Sequence, residues 1–358
     1  MKTYILTFLM ILLLSGTSLA AEVPEELLEA LPEHAVELLE EADPDSVQGF
    51  SEGVTGVFRG MERQAESILR QRVRNAAAVL LVVVLCGAVN GFSQDALGKA
   101  PPFLNMAGGV TITLLTAGSL DSLIGLGAET IGQLDAFSKA LLPTLAAAAA
   151  AGGMVSGAAV QQVSTVFCVD LLLRFIHGLL LPGLYLYIGI LAAGMCLGEN
   201  RLQAVAGGMK RVITWLLTTV LLVFTLYLSV VRIVSGTADG MAVRVTKTVI
   251  SGVVPVVGGI ISEASETLLV GAGVLKNTIG IFGMLGILAV CAYPFLQLGL
   301  QYLLYKGAAF LAEIVGTPEL CKLIDGLGGA FGLMLGMTGA CALLLLVSLL
   351  AAVSMTVL

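Results

Sequence analysis

The sequence has few charged residues, which excludes most classes of soluble protein. Only 12% of its 358 residues are charged, whereas an ordinary soluble domain has about 25%. Hydrophobic residues make up 57% of the chain, and its mean hydropathy is +0.98. Too few charges are present to cover a globular surface. A soluble globular enzyme is therefore excluded, and we expect lipid to surround most of the chain.

Histidine and cysteine are also scarce, and their spacing excludes the common catalytic and metal sites. The two histidines, His34 and His177, lie far apart, and the six cysteines stand singly without a CxxC pair. No HExxH, GxSxG or phosphate-loop motif is present. We interpret the cysteines as small buried apolar residues. We expect no cofactor, no metal, no nucleic-acid partner and no enzymatic activity.

The charges that are present are unevenly distributed. Residues 1–75 contain 6 Lys or Arg and 13 Asp or Glu, so they carry the whole net charge of −7. Residues 1–21 combine Lys2, an apolar core and a run of small residues. This order is typical of a cleavable secretory signal, with an uncleaved anchor as the alternative. Both interpretations predict an extracytoplasmic head at 22–75.

The acidic head has helical periodicity. Pro24 and Pro32 each suit the first turn of a helix, which predicts two short acidic helices. From Val47 to Val73, apolar residues recur every three or four positions. This predicts an amphipathic helix that runs into the first membrane span. The helix either rests on its own protein or the headgroup region, or it docks a partner.

The rest of the chain consists mainly of apolar windows, and a helix needs about 20 apolar residues to cross the hydrocarbon. Windows near that length occupy residues 76–93, 103–120, 137–160, 179–197, 212–235, 279–304 and 327–358. The sequence therefore predicts an all-α polytopic membrane protein with about seven spans. It divides them into membrane helices at 76–235 and C-terminal membrane helices at 277–358.

Residues 163–178 are apolar but carry three ionisable residues. They form an in-plane helix, a half-span or the first part of a broken helix. Asp170, Arg174 and His177 are spaced to lie on one helical face. An Asp and an Arg four positions apart neutralise each other, which lowers the cost of lying near lipid. The same three residues would also suit a proton relay.

Two further stretches separate the apolar windows. Residues 236–276 are mostly apolar but interrupted by Pro and Gly, which predicts an interfacial loop or a re-entrant element. Within it, Pro255, Gly258 and Gly259 are expected to hold a non-helical turn packed between spans. The acidic stretch 121–139 is interpreted as an exposed loop.

Small residues form stripes on the predicted membrane helices. The longest stripe consists of Gly328, Gly332, Gly336 and Ala340. Such stripes allow helix backbones to approach closely, because packing must hold lipid-embedded helices together. They favour packing inside the protein, and contacts between subunits, including a homo-oligomer, are the alternative.

The most distinctive local pattern lies in residues 246–280. It contains Pro255-Val256-Val257-Gly258-Gly259, followed by Lys276-Asn277-Thr278-Ile279-Gly280. With the export signal, the polar head and the Leu141-Leu142-Pro143-Thr144-Leu145 opening of a span, this order resembles the stage III sporulation protein AE family of endospore-forming Firmicutes. The family has no established catalytic residues, so none is transferred.

The resemblance implies a multipass subunit of a channel-like, secretion-like complex between mother cell and forespore. Its expected location is the mother-cell membrane around the forespore. Its expected partners are the lipid bilayer and the other products of the same sporulation operon, including a secretion-type ATPase. The alternative function is a self-contained secondary transporter or permease of a small solute, with Pro255 and the Asp170, Arg174, His177 cluster as its substrate site.

Overall fold

A computed structural model describes residues 24–40, 50–97, 102–151, 155–197, 200–253, 258–315 and 318–353. Every secondary-structure element in these residues is helical. They are α1 (Glu25–Glu29), α2 (Glu33–Glu40), α3 (Phe50–Leu97), α4 (Pro102–Ala151), α5 (Val155–Phe175), a π-helical turn (Ile176–Leu180), α6 (Leu181–Leu197), α7 (Asn200–Val253), α8 (Gly258–Ile314) and α9 (Pro318–Val353). The all-α fold class is confirmed. The proposed signal, residues 1–21, lies outside the described residues.

Helices α1 and α2 are the two short acidic helices that the prolines predict. Each proline carbonyl accepts a hydrogen bond three residues on, from Leu27 N at 2.9 Å and from Ala35 N at 2.8 Å. Both apolar side chains are fully buried. Helix α2 packs on α8, where His34 Nε2 lies 3.4 Å from the carbonyl oxygen of Val290. This part of the head therefore packs on its own protein.

Helix α3 is one unbroken helix of 48 residues, as the continuous apolar stripe predicts. Its first half is amphipathic: Val57 and Ile68 are buried, while Glu66 and Arg70 form an exposed ion pair at 2.8 Å. The buried face packs on α8. The second half is apolar and leads directly into the first membrane span.

Helix α4 corrects the interpretation of residues 121–139 as an exposed loop. These residues lie in the middle of a single helix of 50 residues. The apolar side chains within them recur at helical spacing and are buried, namely Leu123, Ile124, Ile131, Leu134 and Phe137. The acidic residues occupy the other face, where Asp135 pairs with Lys139 at 2.5 Å. The acids therefore mark one face of a helix, not a loop.

Residues 163–178 belong to a longer helical rod. Helices α5 and α6 run continuously through the π-helical turn, so this stretch is the first half of one spanning helix, Val163–Met195. Pro182 gives the π turn a physical cause. Proline lacks an N–H and its ring clashes with the carbonyl four residues earlier, at Gly178, and a wider turn relieves that clash.

In the described part of the chain, six helices are long and apolar enough to cross a membrane, close to the expected number of about seven. They are Ile68–Ser93, Phe103–Ala151, Val163–Met195, Arg201–Tyr227, Asn277–Ile314 and Pro318–Leu350. The most apolar windows of α8 and α9 are 67% and 61% buried, whereas that of α7 is only 11% buried. The α8–α9 hairpin is therefore the centre of the bundle, and α7 lies at its periphery.

The ends of three helical hairpins lie at the same end of the bundle. Asn90 of α3 donates to Asn105 of α4 at 3.0 Å, and Asn105 donates to Glu319 of α9 at 3.0 Å. Met195 of α6 packs against Gly109 of α4. The α3–α4, α6–α7 and α8–α9 hairpins therefore point in the same direction.

The interrupted segment 236–276 is helical on both sides of its proline. Helix α7 continues to Val253 and α8 begins at Gly258. Residues 254–257, which include Pro255, lie outside the described residues, so the expected turn stays a prediction. The backbone at 258–276 is the first part of α8.

Candidate functional site

A cleft with several polar and charged side chains in a mainly apolar lining lies between the membrane helices α6, α7 and α9. Its volume is about 180 Å³. Polar side chains line it, namely Tyr187 of α6, Gln203 and Lys210 of α7, and Lys322 and Asp325 of α9. Lys322 is exposed and Lys210 is half-buried, so the cleft leads from the surface into the bundle. Ionisable groups within a membrane bundle are expensive and mark functional sites.

Tyr187 forms the inner wall of the cleft. Its side chain is only 2% exposed, and its hydroxyl donates to the carbonyl of Gly326 at 2.8 Å. A buried phenol needs such a partner, because an unmade hydrogen bond in an apolar environment is costly. This hydrogen bond holds the ring of Tyr187, on α6, against the backbone of α9.

The side chain of Lys210 reaches into the bundle beside Gly329, which has no side chain of its own. A Cβ atom at Gly329 would lie 2.6 Å from Nζ of Lys210 and 3.2 Å from the hydroxyl of Tyr187. The ammonium and the hydroxyl therefore lie close together over Gly329, where a larger side chain would displace the flexible end of Lys210. The close approach places a positive charge beside a hydroxyl oxygen whose proton is donated to Gly326.

The single carboxylate of the cleft is already paired. Asp325 Oδ1 forms an ion pair with Nζ of Lys306 on α8. The same ammonium lies 5.7 Å from the ring centroid of Tyr302, within the range of a cation–π contact. The charges of Lys306 and Asp325 also act on Lys210. The ammonium groups of Lys306, Lys210 and Lys322 thus lie around the carboxylate of Asp325, which leaves the region positively charged.

A second group of polar side chains follows one face of α8. Gln297, Gln301 and Tyr305 are spaced by four residues and are buried. Arg72 of α3 donates to Oε1 of Gln297 at 2.7 Å, and the hydroxyls of Tyr305 and Thr116 are hydrogen-bonded at 2.9 Å. Neither polar atom of the Gln301 side chain has a partner among the described residues.

The polar cluster expected from the sequence lies elsewhere. Asp170 and Arg174 form the expected ion pair at 2.9 Å, but both are exposed on α5. His177 lies exposed in the π-helical turn. The three residues therefore share the outer surface of one helix and do not line the cleft.

The small-residue stripe of α9 faces other helices of the same chain. A Cβ at Gly328 would lie 3.0 Å from Cβ of Tyr305, and a Cβ at Gly332 would lie 3.0 Å from the ring of Tyr302. Gly336 has more room, with Leu217 of α7 at 3.6 Å, and Ala340 is buried. The first two positions allow α9 to approach α8 closely.

The family-like segment contributes little to the cleft. Gly258 begins α8, and Gly259 and Lys276 follow on the same helix. Asn277 is exposed, and Gly280 is buried beside Val353 at the far end of α9. Pro255, Val256 and Val257 lie outside the described residues.

The charged residues of the cleft were not identified from the sequence. Lys306 follows the apolar window 279–304 by two positions, and Asp325 precedes the window 327–358 by two. The sequence does contain an indication of this ion pair. Two opposite charges flank consecutive apolar windows, and a hairpin formed by those windows brings the charges together. Lys210 gives no such signal, since only its approach to Gly329 places it in the cleft. Within the described ranges, no three metal-ligating side chains come together.

These features define a polytopic α-helical membrane protein with a central helical hairpin and a positively charged cleft. Residues 50–356 match the model of the family described as stage III sporulation protein AE (spore_III_AE). The match covers all six candidate spans and most of the chain. The chain therefore belongs to the stage III sporulation protein AE family, as the sequence resemblance predicts.

A curated relative supports this assignment. The chain is 23% identical over 252 residues to stage III sporulation protein AE of Bacillus subtilis (strain 168). The matched region covers 69% of this chain and spans 62% of the length of that protein. No solved structure matches the chain.

Proposed function

We propose that this protein is a multipass membrane subunit of the mother cell-to-forespore channel, a secretion-like complex needed for spore development. The observation that carries the proposal is the family match, which extends over residues 50–356 and includes every candidate span. The packing around the α8–α9 hairpin supports a scaffold or channel role. We propose no enzymatic role, because the family resemblance transfers no catalytic residue.

The proposal includes a location and a set of partners. The protein lies in the mother-cell membrane that surrounds the forespore, with its acidic head on the extracytoplasmic side. It assembles with the other products of the sporulation operon, among them a secretion-type ATPase, and a homo-oligomer is one form of that assembly. The exposed acidic residues of α1 and α2 support the presence of a partner surface outside the membrane.

Purification from sporulating cells tests the proposal. We expect the other operon products to be enriched with the tagged protein, relative to a tagged multipass protein of unrelated function. Deletion of the gene should allow engulfment but block later forespore development. Normal, viable spores from the deletion strain, together with no enriched operon product, would contradict the proposal.

A second candidate function is a secondary transporter of a small solute. The cleft favours it, because Lys210 and Asp325 place opposite charges between membrane helices. Uptake by the purified protein in liposomes, lost in Asp325→Asn, would support this function. The sequence-based choice of Asp170 is a weaker test, since that carboxylate is exposed on α5.

A further inference from the structure

We propose that the cleft between α6, α7 and α9 binds a phosphate group, as carried by the headgroup of an anionic membrane lipid. This inference does not depend on the proposed role in sporulation. It concerns the cleft lined by Lys210, Lys322 and Tyr187.

The charge balance of the cleft favours an anion. Its lining contains two ammonium groups, Lys210 and Lys322, and one carboxylate, Asp325. Asp325 is already paired with Lys306 of α8. In the part of the chain that the structure describes, neither lining lysine forms an ion pair with a carboxylate. Two positive charges are therefore available for a ligand.

Among the residues that the structure describes, the neighbouring acids do not neutralise these charges. Glu313 is exposed on α8 and does not line the cleft. Glu319 is exposed near the start of α9, where it accepts a hydrogen bond from Asn105 at 3.0 Å. Both carboxylates therefore lie outside the cleft, and the surplus of positive charge remains at its lining.

The cleft also offers an uncharged donor and enough room. The amide of Gln203 lies in the lining, and Nζ of Lys210 lies beside Gly329. Phosphate oxygens accept hydrogen bonds from both groups, whereas the one proton of the Tyr187 hydroxyl is already donated to the carbonyl of Gly326. A volume of about 180 Å³ exceeds that of several water molecules, each of which takes up about 30 Å³ in the liquid. The cleft is therefore large enough for a phosphate group.

The position of the cleft points to lipid as the source of the phosphate. Gln203 and Lys322 lie within the first turns of α7 and α9, at the end of the bundle where the three hairpins meet. Large apolar side chains are exposed on other faces of the same helices α6 and α7, among them Leu186, Val212 and Trp215. The helices that line the cleft therefore also present an apolar surface to acyl chains. Basic pockets between membrane helices bind anionic headgroups in this way.

The test uses the full-length protein in lipid nanodiscs and the variant Lys210→Gln/Lys322→Gln. Three ligands are compared: phosphatidylglycerol, phosphatidylcholine and inorganic phosphate in phosphatidylcholine discs. The readouts are the unfolding midpoint and the lipid retained by the purified protein in native mass spectrometry. Arg201→Gln is the matched control, because it removes an exposed charge at the same end of the bundle without changing the lining.

We expect phosphatidylglycerol, and not phosphatidylcholine, to stabilise the wild type and Arg201→Gln and to be retained by both. The double variant should bind it about tenfold or more weakly, since each lysine contributes to headgroup attraction. Stabilisation by inorganic phosphate alone would support a soluble phosphate source for the same site. Equal retention of phosphatidylglycerol by the double variant and the wild type would overturn the proposal, as would equal stabilisation by both lipids.

A single variant keeps the test decisive if the double variant does not fold. Lys322 is exposed, so Lys322→Gln is expected to fold and to weaken retention of phosphatidylglycerol by a smaller factor than the double variant. A folded Lys322→Gln protein with unchanged retention would count against the proposal in that case.

Discussion

Two glutamines four residues apart on α8 occupy different environments, although the sequence gives no reason to separate them. Gln297 accepts a hydrogen bond from Arg72, which provides a partner for a cation inside the bundle. Gln301 is fully buried, and its two polar atoms have no partner among the described residues. Burying a polar group without a hydrogen bond lowers the stability of the fold, whereas a hydrogen bond to a charged group raises it.

Leucine at each of these positions should therefore act in opposite directions. Gln297→Leu removes the hydrogen-bond partner of the half-buried Arg72 guanidinium and should lower the unfolding free energy by about 1–3 kcal/mol. Gln301→Leu replaces unsatisfied polar atoms with apolar ones of similar volume, so it should leave stability unchanged or raise it. Thermal unfolding in the same nanodiscs measures both. A larger loss for Gln301→Leu than for Gln297→Leu would show that Gln301 has a partner of its own.

Residue roles were predictable only where they depend on neighbours in the sequence. The Asp170–Arg174 ion pair follows from a separation of four positions on one helix. The contact of Lys210 with Gly329 and the ion pair of Lys306 with Asp325 join different helices. Helical spacing describes one helix at a time, so it does not specify which faces of two helices meet.

At the scale of elements, helical periodicity is more informative than local charge. It predicts α1, α2 and the continuous course of α3 correctly. The same periodicity is present at 121–139, whereas the acidic residues there favour a loop, and the prediction of a loop is wrong. Residues 163–197 show the complementary case. Charged residues and Pro182 indicate an interruption, yet the helix continues because a π-helical turn accommodates the proline.

The docking of α2 is a property of one helical face and can be tested as such. Ala35 is fully buried between α2 and the bundle, whereas Glu37 is exposed on the same helix. Ala35→Arg should detach α2, because a helix of eight residues does not pack well enough to bury an unpaired charge. We expect amide hydrogen exchange in residues 33–40 to be about tenfold or more faster, which corresponds to about 1.4 kcal/mol.

Glu37→Arg introduces the same residue on the exposed face and is the control. Its exchange should resemble that of the wild type, and the rest of the bundle should be unaffected in both variants. Equal exchange of residues 33–40 in the two variants would mean that α2 does not depend on its apolar face.

At the scale of the whole molecule, the number of spans depends on how apolar windows are grouped. The windows 103–120 and 137–160 both begin on α4, and no turn separates them at 121–139. Residues 163–178 and 179–197 likewise form one rod. Window length alone predicts about seven spans, because it does not show whether polar residues between two windows leave the helix or occupy one of its faces. The spacing of the buried side chains in α4 shows that the polar residues between its two windows occupy one face of a continuous helix. The described helices therefore contain six candidate spans.

The grouping into six spans and the grouping into seven predict different topologies, which three single-cysteine variants distinguish. Glu33, Arg201 and Glu319 are exposed. Between Glu33 and Arg201 the described helices give three candidate crossings, α3, α4 and the α5–α6 rod, whereas the sequence windows give four. Both groupings give two crossings between Arg201 and Glu319. With six spans, Glu33→Cys therefore lies opposite Arg201→Cys and Glu319→Cys.

A membrane-impermeant maleimide added to protoplasts shows directly which of these positions lie on the same side of the membrane. If the head is extracytoplasmic, Glu33→Cys should react in intact protoplasts, and the other two variants only after permeabilisation. The unsubstituted protein is the control: of its described cysteines, Cys86, Cys168, Cys291 and Cys341 are buried and should react slowly, and the half-buried Cys321 sets the background reaction. Reaction of Glu33→Cys and Arg201→Cys from the same side would restore the additional span. The reverse pattern, with only Glu33→Cys protected in intact protoplasts, would keep six spans but place the head in the cytoplasm.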